Sequence, residues 1–260
     1  MDLGLKGKIA AITGGSEGIG KATAMLLAEE GAKVAICARR KDVLDAAAAE
    51  IREKTDADVL TVSCDVTQPG QVEHFVRQAM DRWGAIDILV NNVGTSFATS
   101  FESVTDEGWQ ADLDLKLYSA IRASRVAIPS MRARGGGRII NVLNIGSKAP
   151  GPSSVPTSVS RAAGLALTKA LSKELAKDNI LVNAICIGLI KSGQTSRGAV
   201  RRYPNLSLDA AFKEMGARNP LGRIGEAEEA ASVIAFLASE RGSFVTGSAI
   251  NVDGGASAVV

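Results

Sequence analysis

The sequence predicts an α/β fold, a doubly wound sheet of about seven parallel strands with helices on both faces. Three observations predict it. Short apolar runs alternate with longer helical patterns from end to end. Those runs are rich in Val and Ile with little polar alternation, as expected of parallel strands covered on both faces. A glycine-rich turn, Thr13-Gly14-Gly15-Ser16-Glu17-Gly18-Ile19-Gly20, joins the first run to the first helical pattern.

The elements follow in order. Lys8 to Thr13 reads as the first strand, and Gly18 to Glu30 as the helix that leaves the glycine turn. Lys33 to Ala38 and Val59 to Cys64 are the next strands, separated by the helix Val43 to Lys54. Helix Val72 to Trp83 leads to strand Ile86 to Asn91. Trp109 to Arg134 reads as one long helix, followed by strand Arg138 to Leu143. Helix Ser158 to Lys177, strand Leu181 to Ile187, helix Ala227 to Ser239 and strand Ala249 to Val252 complete the pattern. The one long irregular stretch covers 191–220, and long loops in compact domains usually carry function. No repeat, low-complexity tract or linker divides residues 1–260, so one domain is expected.

Composition narrows the function. Apolar residues make up 46% of the 260 positions and charged residues 22%, ordinary for a globular protein. A net charge of +2 gives no overall field that would favour nucleic acid or a membrane surface. Met1 to Lys8 holds no secretory-type apolar run, and no stretch approaches the roughly 20 apolar residues of a membrane span. The expected location is cytoplasmic. Cys37, Cys64 and Cys186 are far apart and lie in apolar runs, so they read as reduced core thiols rather than metal ligands. The single histidine, His74, sits in a polar helical segment and reads as solvated.

Chemistry concentrates at the glycine turn. Glycines there allow a tight turn and close approach to a pyrophosphate, and the following helix N-terminus offers free N–H groups and partial positive charge. The competing reading is a structural glycine turn. The second strand ends Cys37-Ala38-Arg39-Arg40-Lys41. A carboxylate at this strand end would bind the ribose of NAD, whereas guanidinium groups pair with a 2′-phosphate. The expected cofactor is therefore NADP(H) in preference to NAD(H), with a chance basic helix start as the alternative.

The chain resembles the short-chain dehydrogenase/reductase family along essentially its whole length. Gly14-x3-Gly18-x-Gly20 is similar to that family's cofactor turn, and Asn91-Asn92-Val93-Gly94 to its motif after the fourth strand. Cys64-Asp65-Val66 resembles its adenine contact. Val245-Thr246-Gly247 with Val252-Asp253-Gly254-Gly255 resembles its last strand and tail. The resemblance implies cofactor contacts from Gly14, Ser16, Glu17, Gly18, Ile19, Gly20, Arg39, Arg40, Asp65, Val66, Asn91, Gly94 and Arg161. Gly188, Ile190 and Ser192 join them after the sixth strand, where the family's Pro-Gly reads Ile187-Gly188. Glu17 stands where many NADP-preferring members carry a basic residue. The resemblance also implies a homotetramer or homodimer paired through the helices Trp109–Arg134 and Ser158–Lys177.

The family's acid–base set of Asn, Ser, Tyr and Lys is replaced throughout. Register places Lys116, Asn144, Thr157 and Arg161 at those positions. Thr157 and Arg161 keep the i, i+4 spacing of one helix face. An aliphatic hydroxyl is a poor acid at neutral pH, and a guanidinium holds its proton, so the family mechanism cannot run unchanged. Tyr118 is two positions from Lys116 and points away from it. Tyr203 lies in the long loop and could swing in. Lys116 is the better candidate acid, since burial and the Arg161 cation would lower its pKa. The alternative is a structural lysine paired with Asp112. The long loop carries Lys191, Arg197, Arg201, Arg202, Lys213 and Arg218 against Asp209 and Glu214, which favours an anionic substrate unless the loop is merely solvated. Two functions stay open: an NADP(H)-dependent oxidoreductase interconverting a carbonyl and an alcohol, or a catalytically silent dinucleotide-binding sensor or partner subunit.

Overall fold

The computed structural model describes residues 2–260. Seven parallel strands form the main sheet: β1 (Ile9–Thr13), β2 (Lys33–Ala38), β3 (Val59–Ser63), β4 (Ile88–Asn91), β6 (Gly137–Asn144), β8 (Ile180–Ile187) and β9 (Ala249–Val252). A small antiparallel pair, β5 (Ala98–Thr99) with β7 (Val155–Pro156), stands apart from it. The order of the main sheet is β3-β2-β1-β4-β6-β8-β9. The chain winds outward from β1 in one direction, then restarts beside it at β4 in the other. In such sheets the crevice outside the strand ends at the reversal is where ligands bind.

Burial on both faces explains the uninterrupted apolar runs. In β1, Ala10 and Ile12 face one core with Val34 and Ile36, while Ile9 and Ala11 face the other with Ala35 and Cys37. The first core is covered by α1 (Gly18–Glu29), α2 (Lys41–Thr55) and α9 (Ala227–Ala238). Helices α3 (Gln71–Trp83) and α5 (Ser119–Ala133) cover the second. Helix α6 (Thr157–Glu174) follows β7 directly.

Two expectations need correction. The long helix expected from Trp109 to Arg134 is α4 (Asp106–Leu113), a π-helical turn over Asp114–Tyr118, and then α5. Such single wide turns rotate the following residues relative to the preceding helix face. The stretch 191–220 is not irregular: it holds α7 (Gly193–Arg202) and α8 (Leu208–Gly216). Ser192 caps α7 by accepting from the Thr195 N–H, and Ser207 caps α8 through Ala210. All three cysteines are free and buried, and His74 is exposed. No helix among the described residues is long and apolar enough to cross a membrane.

Candidate active site

A cleft of about 880 Å³ opens at the carboxyl ends of β1, β2, β3 and β4, within the size range of cofactor sites. Its floor is the glycine turn. The N–H groups of Gly14 and Gly15 donate to the Cys37 carbonyl at 2.9 and 3.1 Å, fastening the turn to β2. Asn92 Nδ2 donates to the Thr13 and Gly14 carbonyls at 2.9 and 3.2 Å, fastening it to the end of β4. Gly14, Ser16, Glu17, Gly18, Ile19, Arg39, Arg40, Asp65, Val66, Gly94, Arg161 and Ser192 all line the cleft.

Four residues expected to touch a cofactor do not line it. Gly20 lies inside the turn, where any Cβ would overlap the Gly14 carbonyl. Its role is to let α1 start close to β1. Asn91 is buried beneath the site and donates to Asn141 Oδ1 at 2.9 Å, bridging β4 and β6. Gly188 packs against the Asp253 backbone. Ile190 is buried in the core and borders a separate, smaller cavity. Conversely, Thr95, Leu115, Gln194 and Arg197 line the cleft without having been expected as cofactor contacts. The signal for Thr95, Leu115 and Gln194 in sequence is weak, since none belongs to a glycine or charge motif, whereas Arg197 belongs to the basic set of the loop. Of the six basic residues between Lys191 and Arg218, only Arg197 reaches the cleft. Lys191 instead pairs with Glu226 and lies over the Phe212 ring.

Lys116, Asn144, Thr157 and Arg161, the residues that register assigns to the acid–base positions, come together unevenly. Thr157, Lys116 and Arg161 are buried, and only Arg161 lines the cleft. Lys116 Nζ donates to Asp112 Oδ1 and to Thr157 Oγ1, the latter at 2.8 Å. The Phe97 N–H, in the loop before β5, donates to the same Thr157 oxygen at 2.9 Å. Ser160 completes the group by donating to Asp112 Oδ2 at 2.6 Å. Arg161 Nη1 donates to the Val142 carbonyl at 2.6 Å, and its other end lies so close to Gly94 that a side chain there would overlap it. Asn144 ends β6 with its Oδ1 buried and unpaired. Tyr118 is exposed and lies against Arg122, away from this group.

Burial sets the electrostatics. Desolvation draws the Lys116 ammonium down to about 8; Asp112 opposes the shift and the Arg161 cation reinforces it. Desolvation lowers Arg161 to about 10, again opposed by Asp112, so it stays cationic at neutral pH. The lysine is thus paired with Asp112, and burial holds its ammonium below the usual lysine range.

Comparisons with known proteins agree with this architecture. The family model described as enoyl-(acyl carrier protein) reductase matches residues 14–257. A 3alpha-hydroxysteroid dehydrogenase of Mediterraneibacter gnavus is 36% identical over 257 residues, covering 98% of this chain and 99% of that protein. The structure of L-sorbose reductase from Gluconobacter frateurii with NADPH and L-sorbose superposes with a TM-score of 0.96 at 37% identity, over 100% of both chains. A short chain oxidoreductase of Pseudomonas aeruginosa, NADPH-bound and described as containing an atypical catalytic center, gives 0.88 at 37% identity, over 97% of this chain and 98% of that one. With its cofactor turn, strand order and full-length similarity, the chain belongs to the short-chain dehydrogenase/reductase family of oxidoreductases.

Proposed function

We propose that the chain is an NADP(H)-dependent oxidoreductase interconverting a carbonyl and an alcohol, with Thr157 and Lys116 as a proton relay. One observation carries the relay. A hydroxyl has two acceptor lone pairs and one hydrogen. On Thr157 both acceptor positions are taken, by Phe97 N–H at 2.9 Å and Lys116 Nζ at 2.8 Å. Its hydrogen is left to donate to a third group, and two N–H donors, one of them cationic, make that hydrogen more acidic than in a free alcohol.

A bound nicotinamide dinucleotide would supply hydride chemistry at the carbonyl carbon. The cleft suits such a group: the Arg161 guanidinium lies against Gly94 on its wall, and Arg39 and Arg40 stand at the end of β2. The solved relatives from G. frateurii and P. aeruginosa were both obtained with NADPH, which supports the phosphorylated cofactor. In reduction, Thr157, which is buried and does not line the cleft, passes its proton to the carbonyl oxygen through a bridging water and takes another from the Lys116 ammonium. Asp112 and Ser160 hold the ammonium in line. Oxidation of the alcohol runs the same transfers backward. An anionic substrate group would find one lid cation, Arg197. Pairing into a homodimer or homotetramer through α5 and α6 is part of this proposal, supported by the exposure of Val159 on α6.

The test is NADPH consumption against a broad panel of ketones and aldehydes. Turnover with any of them supports the reading. Bound NADPH with no turnover, together with activity created by Thr157→Tyr combined with Arg161→Lys, would favour the silent dinucleotide-binding reading instead.

A further inference from the structure

Arg161 is a buried cation without a counter-ion. It is 9% exposed, yet among the described residues no carboxylate forms an ion pair with it. Asp112, the carboxylate that acts on it through space, is already engaged at both oxygens, Oδ1 by Lys116 and Oδ2 by Ser160. Burial draws the guanidinium down only to about 10, so it keeps its charge at neutral pH. With Lys116 protonated, the buried group of Asp112, Lys116 and Arg161 holds one more cation than anion. A guanidinium carries five N–H hydrogens. One of them is donated, from Nη1 to the Val142 carbonyl at 2.6 Å. The unused N–H groups keep access to the cleft, which Arg161 lines beside Gly94. A desolvated charge left unpaired is strongly unfavourable, so the arrangement calls for an anion from outside the chain. The other arginines of the cleft differ. Arg39, Arg40 and Arg197 are exposed, and Glu17 Oε2 lies 2.8 Å from Arg40 and 3.9 Å from Arg197.

We infer that Arg161 binds the carboxylate of a substrate whose reacting carbonyl is bonded directly to that carboxylate, a 2-oxo acid reduced to a 2-hydroxy acid. This rests on the oxidoreductase reading above. A cofactor ribose offers only neutral hydroxyls, which would occupy N–H groups and leave the charge uncompensated. A carboxylate does both, and its charge-assisted bonds to a guanidinium are the stronger kind. The cofactor phosphates belong at the glycine turn and the start of α1. Spacing places the carboxylate next to the carbonyl. Thr157 and Arg161 lie four residues apart on α6, about 6 Å along its axis. Oxygens on adjacent carbons span that distance, the carbonyl oxygen toward Thr157 and its bridging water, the carboxylate on Arg161. In reduction the carbonyl carbon gains the hydride, and the carbonyl oxygen gains the proton by way of Thr157. The nicotinamide is oxidised, and the carboxylate stays unchanged on Arg161. Leu115, Val142 and Ile187 also line the cleft, which suits a hydrocarbon remainder.

The experiment is calorimetric titration of the full chain, alone and saturated with NADP+, with 2-oxo-4-phenylbutanoate and, separately, with its methyl ester. The oxidised cofactor permits binding without turnover. The acid is expected to bind at least about 30-fold more tightly than the ester. Arg161→Gln should bring that ratio below about threefold. Arg161→Lys, which keeps the charge and loses the planar fork, should leave it between the two. Circular dichroism and melting show whether each variant is folded, and the wild-type ratio is decisive even where Arg161→Gln is not. Equal affinity for acid and ester in the wild type overturns the assignment. So does a ratio that survives in folded Arg161→Gln, and its collapse in Arg197→Gln would move the anion to the lid. NADPH consumption tests the oxidoreductase reading separately. Acid binding that is lost in Arg161→Gln, without any reduction of the acid, would uphold the carboxylate site and count against that reading. Reduction of neutral ketones with no preference for the acid would do the reverse.

Discussion

Lys116 and Thr157 are the residues on which the proposed proton relay rests. Their positions were legible from register alone, because thirteen residues separate Asn144 from Thr157 and four separate Thr157 from Arg161. Their connection was not. No spacing rule indicates that the Phe97 N–H, sixty residues from Thr157, takes one lone pair of its hydroxyl, or that Ser160 holds the far oxygen of Asp112. The relay makes a pH prediction. Lys116 must be protonated to restore Thr157 in carbonyl reduction, and its pKa is drawn down to about 8. The expected kcat/KM for reduction is flat below that pH and falls about tenfold per unit above it, with alcohol oxidation showing the opposite slope. In Lys116→Arg the limb should move to higher pH, since a guanidinium keeps its proton. A limb at the same pH in that variant would remove Lys116 from the mechanism. Thr157→Val keeps the shape and deletes the hydroxyl. Turnover should drop at least about 100-fold, while NADPH affinity stays within about twofold. A much smaller loss of turnover would mean that Thr157 only packs.

At the scale of elements, the differences between expectation and structure have local causes. The run from Trp109 to Arg134 keeps a helical pattern throughout, so nothing in it announces the wide turn at Asp114–Tyr118. Helix α7 buries only Ala199 and so shows no apolar stripe in the sequence. Its capping box, Ser192 with Thr195, is the stronger signal. That cap should matter locally. Ser192→Ala is expected to cost α7 about 1 kcal/mol, seen as faster amide exchange over 193–202 with little change in the melting of the sheet. Global destabilisation of the same size would mean that α7 is part of the main cooperative unit rather than a separately opening cover.

For the molecule as a whole, the cleft is the largest asset and its occupancy should be measurable as stability. A ligand that binds only the folded state adds roughly 2.7 kcal/mol at a hundredfold excess over its Kd. NADPH should therefore raise Tm by several degrees, and NADH by less at equal concentration. Equal shifts would count against the phosphorylated cofactor. Light scattering of the purified chain addresses assembly: a dimer or tetramer mass is expected, and a monomer at micromolar concentration would dismiss pairing through α5 and α6.

Sequence by itself determined the seven-stranded parallel architecture, the glycine turn and the basic strand end. Those features are local or periodic: strand burial imposes continuous apolar runs, and a turn against a phosphate site demands glycine at set intervals. Tertiary structure alone decided that Gly20, Asn91, Gly188 and Ile190 support the site rather than line it. It alone brought Asp112, Lys116, Thr157 and Ser160 into one buried group and set Glu17 between Arg40 and Arg197. The physical reason is the same in each case. Burial, lone-pair occupancy and ion pairing depend on distances between segments far apart in the chain, and those distances exist only once the sheet and its helices have packed.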